Sequence, residues 1–198
     1  MKKQIKEKCW ICENYKASLK YLKECKNFIW VSVGIFVLFC LVGFFVPLPE
    51  QFSEMILNFL KELIEKTQGM SQGELISFIF FNNLKSSFLA WVLGIGLGIF
   101  PVFVAILNGF VLGFVMKLSV SVSGFGSLWR IFPHGIFELP AIFISLGMGL
   151  RLGCFIFEKK KKNSFKEHFY NGLRVFVFVV LPLLIVAGII EGTLIALG

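Results

Sequence analysis

Two ionisable side chains four residues apart, His134 and Glu138, stand at the mouth of an apolar run, Ala141 to Phe157, within Pro133-His134-Gly135-Ile136-Phe137-Glu138-Leu139-Pro140. On a helix, positions i and i+4 share a face, so both side chains would point the same way. Burying a charge in lipid costs on the order of a few kcal/mol, so both must face protein, water or each other. Pro140 removes a backbone donor and disfavours helical geometry at Leu139, so the helix either kinks or begins there. Asn82, Asn83, Lys85, Asn108 and Glu191 are the other polar groups inside apolar sequence. A centre built from His134, Glu138, Asn82, Asn83, Asn108 and Glu191 could fix helix packing through hydrogen bonds, or handle protons and cations. His134 and Glu138 are weak metal candidates, since they supply half a site and His168 falls on the other side of the membrane. There is no HExxH, no GxSxG and no serine beside a base, so no catalytic residue is assigned and no cofactor is expected.

Those residues need helices in a bilayer to hold them. The 198 residues are 57% hydrophobic and 16% aromatic, with a mean hydropathy of +0.81. Soluble domains carry about 45 to 50% apolar residues, so this composition indicates an integral membrane protein of the all-α, polytopic class. The formal charge is +8, but the basic residues cluster beside apolar runs, which points to an anionic lipid surface and not to nucleic acid. Five cysteines, three of them in the basic N-terminal stretch with Cys9-Trp10-Ile11-Cys12, read as reduced cytosolic thiols, because a zinc site needs four ligands. The basic stretch is too long for a cleavable signal peptide.

Five crossings are expected, at about 28–46, 74–99, 102–118, 134–157 and 175–197. Residues 1–27 form a basic cytoplasmic segment, with Ile5, Cys9, Cys12, Leu19 and Leu22 as the apolar line of a surface helix. Pro47 and Pro49 end the first span. Residues 50–66 put Phe52, Met55, Ile56, Phe59, Leu60, Leu63 and Ile64 on one face and carry four Glu to two Lys, giving an outer amphipathic helix. Ser71 and Glu74 have capping-box spacing at the head of the second span. The Ser- and Gly-rich stretch 119–132, with Trp129 and Arg130, reads as an outer loop or short re-entrant segment. Lys159 to Lys162 make 158–174 the basic inner loop, where Ser164 and Glu167 suggest a second capping box and Phe165, Phe169 and Leu173 an apolar face. Arg151 can snorkel to the inner headgroups. Basic segments inside place the N-terminus in the cytoplasm and the C-terminus outside the cell membrane. Small residues at Gly94, Gly98, Gly109, Gly113, Ser145, Gly149 and Gly153 mark helix-packing lines.

Phe81-Asn82-Asn83, the run Gly94 to Gly98, Asn108-Gly109 with Gly113, PHGIFELPA at 133–141, Gly149-Leu150 and Glu191 together resemble the stage II sporulation protein M family. That resemblance, over residues 78–153 and the last helix, implies a five-span membrane protein; the named member anchors peptidoglycan-degrading partners during engulfment. Relatives occur in organisms that do not sporulate, so the process is left open.

The expected function is a non-enzymatic scaffold or assembly subunit in the lipid bilayer, with protein partners or a homo-oligomer and no nucleic acid. A transporter or channel component working through the His/Glu/Asn cluster ranks second and an intramembrane metalloenzyme third.

Overall fold

The computed structural model describes residues 10–130 and 132–197, with the side chains of 129–134 and 197 outside the description. Among the described residues seven α-helices follow one another: α1 (Trp10–Phe45), α2 (Glu50–Thr67), α3 (Gln72–Val92), α4 (Ile99–Ser123), α5 (Phe132–Gly153), α6 (Lys161–Val175) and α7 (Leu181–Leu197). Five helical stretches among the described residues are long and apolar enough to cross a bilayer.

The first of them differs from the expected division into a surface helix and a span. Nothing between Lys20 and Trp30 breaks a helix, and α1 runs unbroken for 36 residues, about 54 Å. Its buried line is Ser18, Tyr21, Cys25, Ser32, Phe36 and Gly43. Leu19 and Cys12 of the expected surface-helix line are exposed, and Ile5 and Cys9 lie outside the described residues. Within the bilayer, lipid accepts large aliphatic side chains, so the spans meet through small and polar positions such as Ser32 and Gly43.

Close backbone approach sets the register. A Cβ on Gly109 would strike the Phe36 carbonyl, and one on Gly113 the Cys40 carbonyl, so α1 and α4 run parallel. Gly147 meets Ile29, and the Ser32 hydroxyl, which donates to Ile29 O, lies 3.4 Å from the Phe143 carbonyl, so α5 is antiparallel to α1. Gly188 and Gly192 meet Phe80 and Ile76 of α3, and α7 is antiparallel to it. Helix α5 is the central element: half of its most apolar window is buried, against 17% for α1.

The glycine run at 94–98 is not helical as expected. After Val92 the chain tightens into a 3₁₀ turn, Leu93–Ile95, then reverses through Leu97 (φ 60) and Gly98 (φ 73). Gly98 needs its missing Cβ for that left-handed conformation. Gly94 seats directly on the Gly149 backbone, and Gly153 on Gly94 and Gly98, which locks the reversal onto α5. Helix α4 then runs on to Ser123 before a 3₁₀ segment, Phe125–Arg130, so the outer loop is shorter than expected.

At the far end, α6 begins at Lys161, three residues before Ser164. Ser164 is therefore no cap. It is buried in line with His168, Gly172 and Val175, while Leu173 is exposed. The buried face is again the polar and small one. Residues 176–180 form a π-type turn into α7, closed by Leu181 N–H to Phe176 O. Pro182 explains it, since a proline cannot donate to the carbonyl four residues back.

Candidate functional site

Two polar centres emerge, one at each end of the bundle. The acidic end is built on α3, α5 and α7. Asn83 lies on the line Ile79, Asn83, Ser87 and Ala90, which faces α5, and Ile79, Ser87 and Ala90 are buried. The parallel register through Ala90 and Gly149 sets Ile79 level with Glu138, and Asn83 one turn further along. The side chains of Glu138 on α5 and Glu191 on α7 lie close enough to interact, where the two helices face each other. A carboxylate only accepts, so a hydrogen bond between the two would require a proton on one of them. One turn away, the Gln72 amide donates to Thr193 at 3.1 Å, joining α3 to α7. The Ser71 backbone N–H donates to the Glu74 carboxylate at 2.8 Å, which caps α3.

This centre is smaller than the sequence suggests. Asn108 is exposed, its amide donating back to Val104 O at 2.8 Å. Asn82 is exposed, and its amide lies 3.5 Å from Asn83 Oδ1. Both corrections have one cause. Helix rotation is set by the small residues, Ala105, Gly109 and Gly113 on α4 and the Ala90 line on α3, and an amide one position off that line turns outward. The side chain of His134 lies outside the described residues, so its relation to Glu138 is not part of this geometry. Among the packing residues, Ser145 is fully buried, Gly94, Gly149 and Gly153 form the α3–α5 seam, and Gly109 and Gly113 the α1–α4 seam.

The basic end carries a cluster that the sequence reading did not anticipate. Arg151 reaches Glu158 at 2.8 Å, and His168 Nε2 lies 3.2 Å from the same oxygen. The Tyr21 hydroxyl donates to His168 O at 3.3 Å, and the Arg151 guanidinium lies 5.8 Å above the Phe28 ring. Ser164, with His168 and Arg151 behind it, holds the Glu158 carboxyl below the usual carboxylate range; the Ser164 hydroxyl itself approaches without a well-formed hydrogen bond. Further along, Arg174 donates to Asn14 and Asn171, both at 3.0 Å. Beneath, Trp91 is fully buried, stacked between Phe169 and Phe176 at 5.3 and 5.7 Å. Gly172 gives it room, since a Cβ there would meet the indole nitrogen. The signal available in the sequence was the spacing of Ser164, His168 and Gly172, small and polar residues at i, i+4 and i+8.

Chemically, the acidic end can hold a proton between two helices, and the basic end can pin α6 to α1 and α5. Among the described residues no three His, Cys, Asp or Glu side chains converge as metal ligands.

The fold and its two centres define an all-helical, multi-pass membrane protein whose conspicuous intramembrane feature is a pair of carboxyl groups. The chain belongs to the stage II sporulation protein M family, whose model matches residues 32–194. It is 30% identical over 145 residues to "Uncharacterized protein MJ0706" of Methanocaldococcus jannaschii, a match covering 69% of this chain and 64% of that protein. The chain thus spans less than two thirds of that relative's length. No solved structure matches.

Proposed function

We propose that the chain is a non-enzymatic membrane scaffold, an assembly subunit that holds protein partners or further copies of itself in the cell membrane. The observation that carries this reading is polar side chains turned outward in mid-span. Asn108 lies near the middle of α4, and Asn82 and Lys85 near the middle of α3, all three exposed. A lysine left in lipid at such a depth costs about 2.5 kcal/mol or more. A neighbouring protein removes that cost. The basic segments of α1 and α6 and the acidic α2 support an N-terminus in the cytoplasm and a C-terminus outside. The family description names sporulation, and the proposal does not depend on that process.

The test is photo-cross-linking in cell membranes, with a photoreactive residue at Leu107 or Phe103 beside Asn108. Protein adducts at discrete masses are expected. Lipid adducts alone at both positions would sink the reading.

A second reading, proton-coupled transport, is supported by the Glu138–Glu191 contact, because shared protons are a device of membrane relays. It requires purified protein in vesicles to move an ion or solute, with Glu138→Gln abolishing the flux. Wild-type vesicles that move nothing remove it.

A further inference from the structure

Helix α3 faces two ways. Its inward line packs on α5 and α7, while its outward line, Ser77, Phe78, Phe81, Asn82 and Lys85, forms an open groove of about 390 Å³ along the helix surface. Phe81 is 64% exposed. Lys85 is exposed too, and makes no hydrogen bond or ion pair among the described residues.

Its depth makes that exposure informative. Gln72–Ile95 spans 24 residues, so Lys85 sits about 20 Å from the start and about 15 Å from the end. Helical side chains lean toward the N-terminus, which points the ammonium away from the nearer, basic end. An extended lysine of about 6 Å still stops well short of the other one, so snorkelling leaves it in the hydrocarbon. An acceptor must come from somewhere else.

The carboxyls on α3 and on the spans packed against it are spoken for. Glu138 and Glu191 lie close to each other within the bundle, and Glu74 is engaged by Ser71 at the mouth of the helix. A second copy seated on the same face about a two-fold axis along the membrane normal would set Lys85 against Lys85 at equal depth. Like charges there repel.

We propose that the outward groove of α3 receives a transmembrane helix of a different protein, one carrying an Asp or Glu in mid-bilayer opposite Lys85. Phe78 and Phe81 flank the lysine and accept aliphatic side chains, and the open Oδ1 of Asn82 accepts a hydrogen bond from the incoming helix. Opposite charge at matched depth supplies the selectivity: a helix bearing leucine there gains only surface contact. This rests on the scaffold reading in that it names the kind of partner held.

Full-length protein in phosphatidylcholine vesicles tests it, with a fluorescent Trp-flanked Leu/Ala transmembrane peptide bearing Glu, Gln or Leu at its centre. Energy transfer to acceptor-labelled protein should show the Glu peptide bound roughly tenfold more tightly than the Leu peptide, with Gln between. Lys85→Met, which is easily accommodated in lipid, should erase that preference, and Lys85→Arg should keep it. Lys117→Met, a lysine near the end of α4, should leave it intact. Equal binding of the Glu and Leu peptides, or a preference that survives Lys85→Met, overturns the proposal. So does self-association of labelled copies that Lys85→Met abolishes, since the groove is then filled by a second copy. Protein adducts beside Asn108 without any Glu preference here would defeat this inference alone and leave the scaffold reading standing.

Discussion

The acidic and basic ends of the bundle use polar groups in opposite ways. At the acidic end two like groups, Glu138 and Glu191, meet between neighbouring helices inside the apolar segment. At the basic end unlike groups, Arg151, Glu158 and His168, meet where helices leave it, and Glu158 is 36% exposed. Where water is absent, a hydrogen bond that shares a proton avoids separating charge. Where water is near, an ion pair is cheap to form and correspondingly weak. The first arrangement fastens span to span, and the second fastens α6 to the end of α5.

Four perturbations sharpen or break that contrast. The largest effect is expected where both ends depend on one seam. Gly149→Leu would force its side chain into the Ala90 carbonyl and Pro101, and should cost more than about 4 kcal/mol, so that both ends lose order together in a thermal melt in detergent. Survival of either end would show that the seam does not couple them.

Next comes the carboxyl pair. Glu138→Ala should destabilise by about 2 kcal/mol, because Glu191 is left buried without its partner, whereas Glu138→Gln should keep most of the stability by donating its amide to Glu191. If Gln costs as much as Ala, the proton-sharing contact is wrong.

Smaller still is the ion pair. Glu158→Gln should cost about 1 kcal/mol or less, with the difference from wild type shrinking as salt is raised. The carboxyl pair at the other end should show no such salt dependence.

The smallest effect is the response to pH. The carboxyl of Glu158 lies below its ordinary range in the folded protein. A depressed folded value means that its contribution is fully present above the unfolded carboxylate range and is lost as pH falls through the lower, folded one. Hydrogen exchange in α6 should therefore quicken on acidification through that range, and Glu158→Gln should flatten the response. An unchanged response in the variant would remove Glu158 from the account.

How much of this was legible beforehand follows one physical line. The Ser71–Glu74 cap, the amphipathic α2 and the five apolar stretches are local, and each could be read from spacing. Faces were harder. Spacing could mark Leu19 and Leu173 as apolar positions of surface helices, and both are exposed, but it could not say that Tyr21 and Cys25 on α1 or Ser164 and His168 on α6 would be the buried ones. Asn82 and Asn108 were expected to cluster inside, and both are exposed.

The chain by itself determined its class, the bounds of α2, the cap that starts α3 and the scarcity of polar groups inside the spans, since those follow from hydropathy, proline and capping over a few residues. Only the tertiary structure decided that Glu138 would meet Glu191, that Glu158 would bridge Arg151 and His168, and that Lys85 would look outward. Those outcomes depend on how each helix is rotated about its axis, and that rotation is set by glycine-to-backbone contacts between residues far apart in the chain.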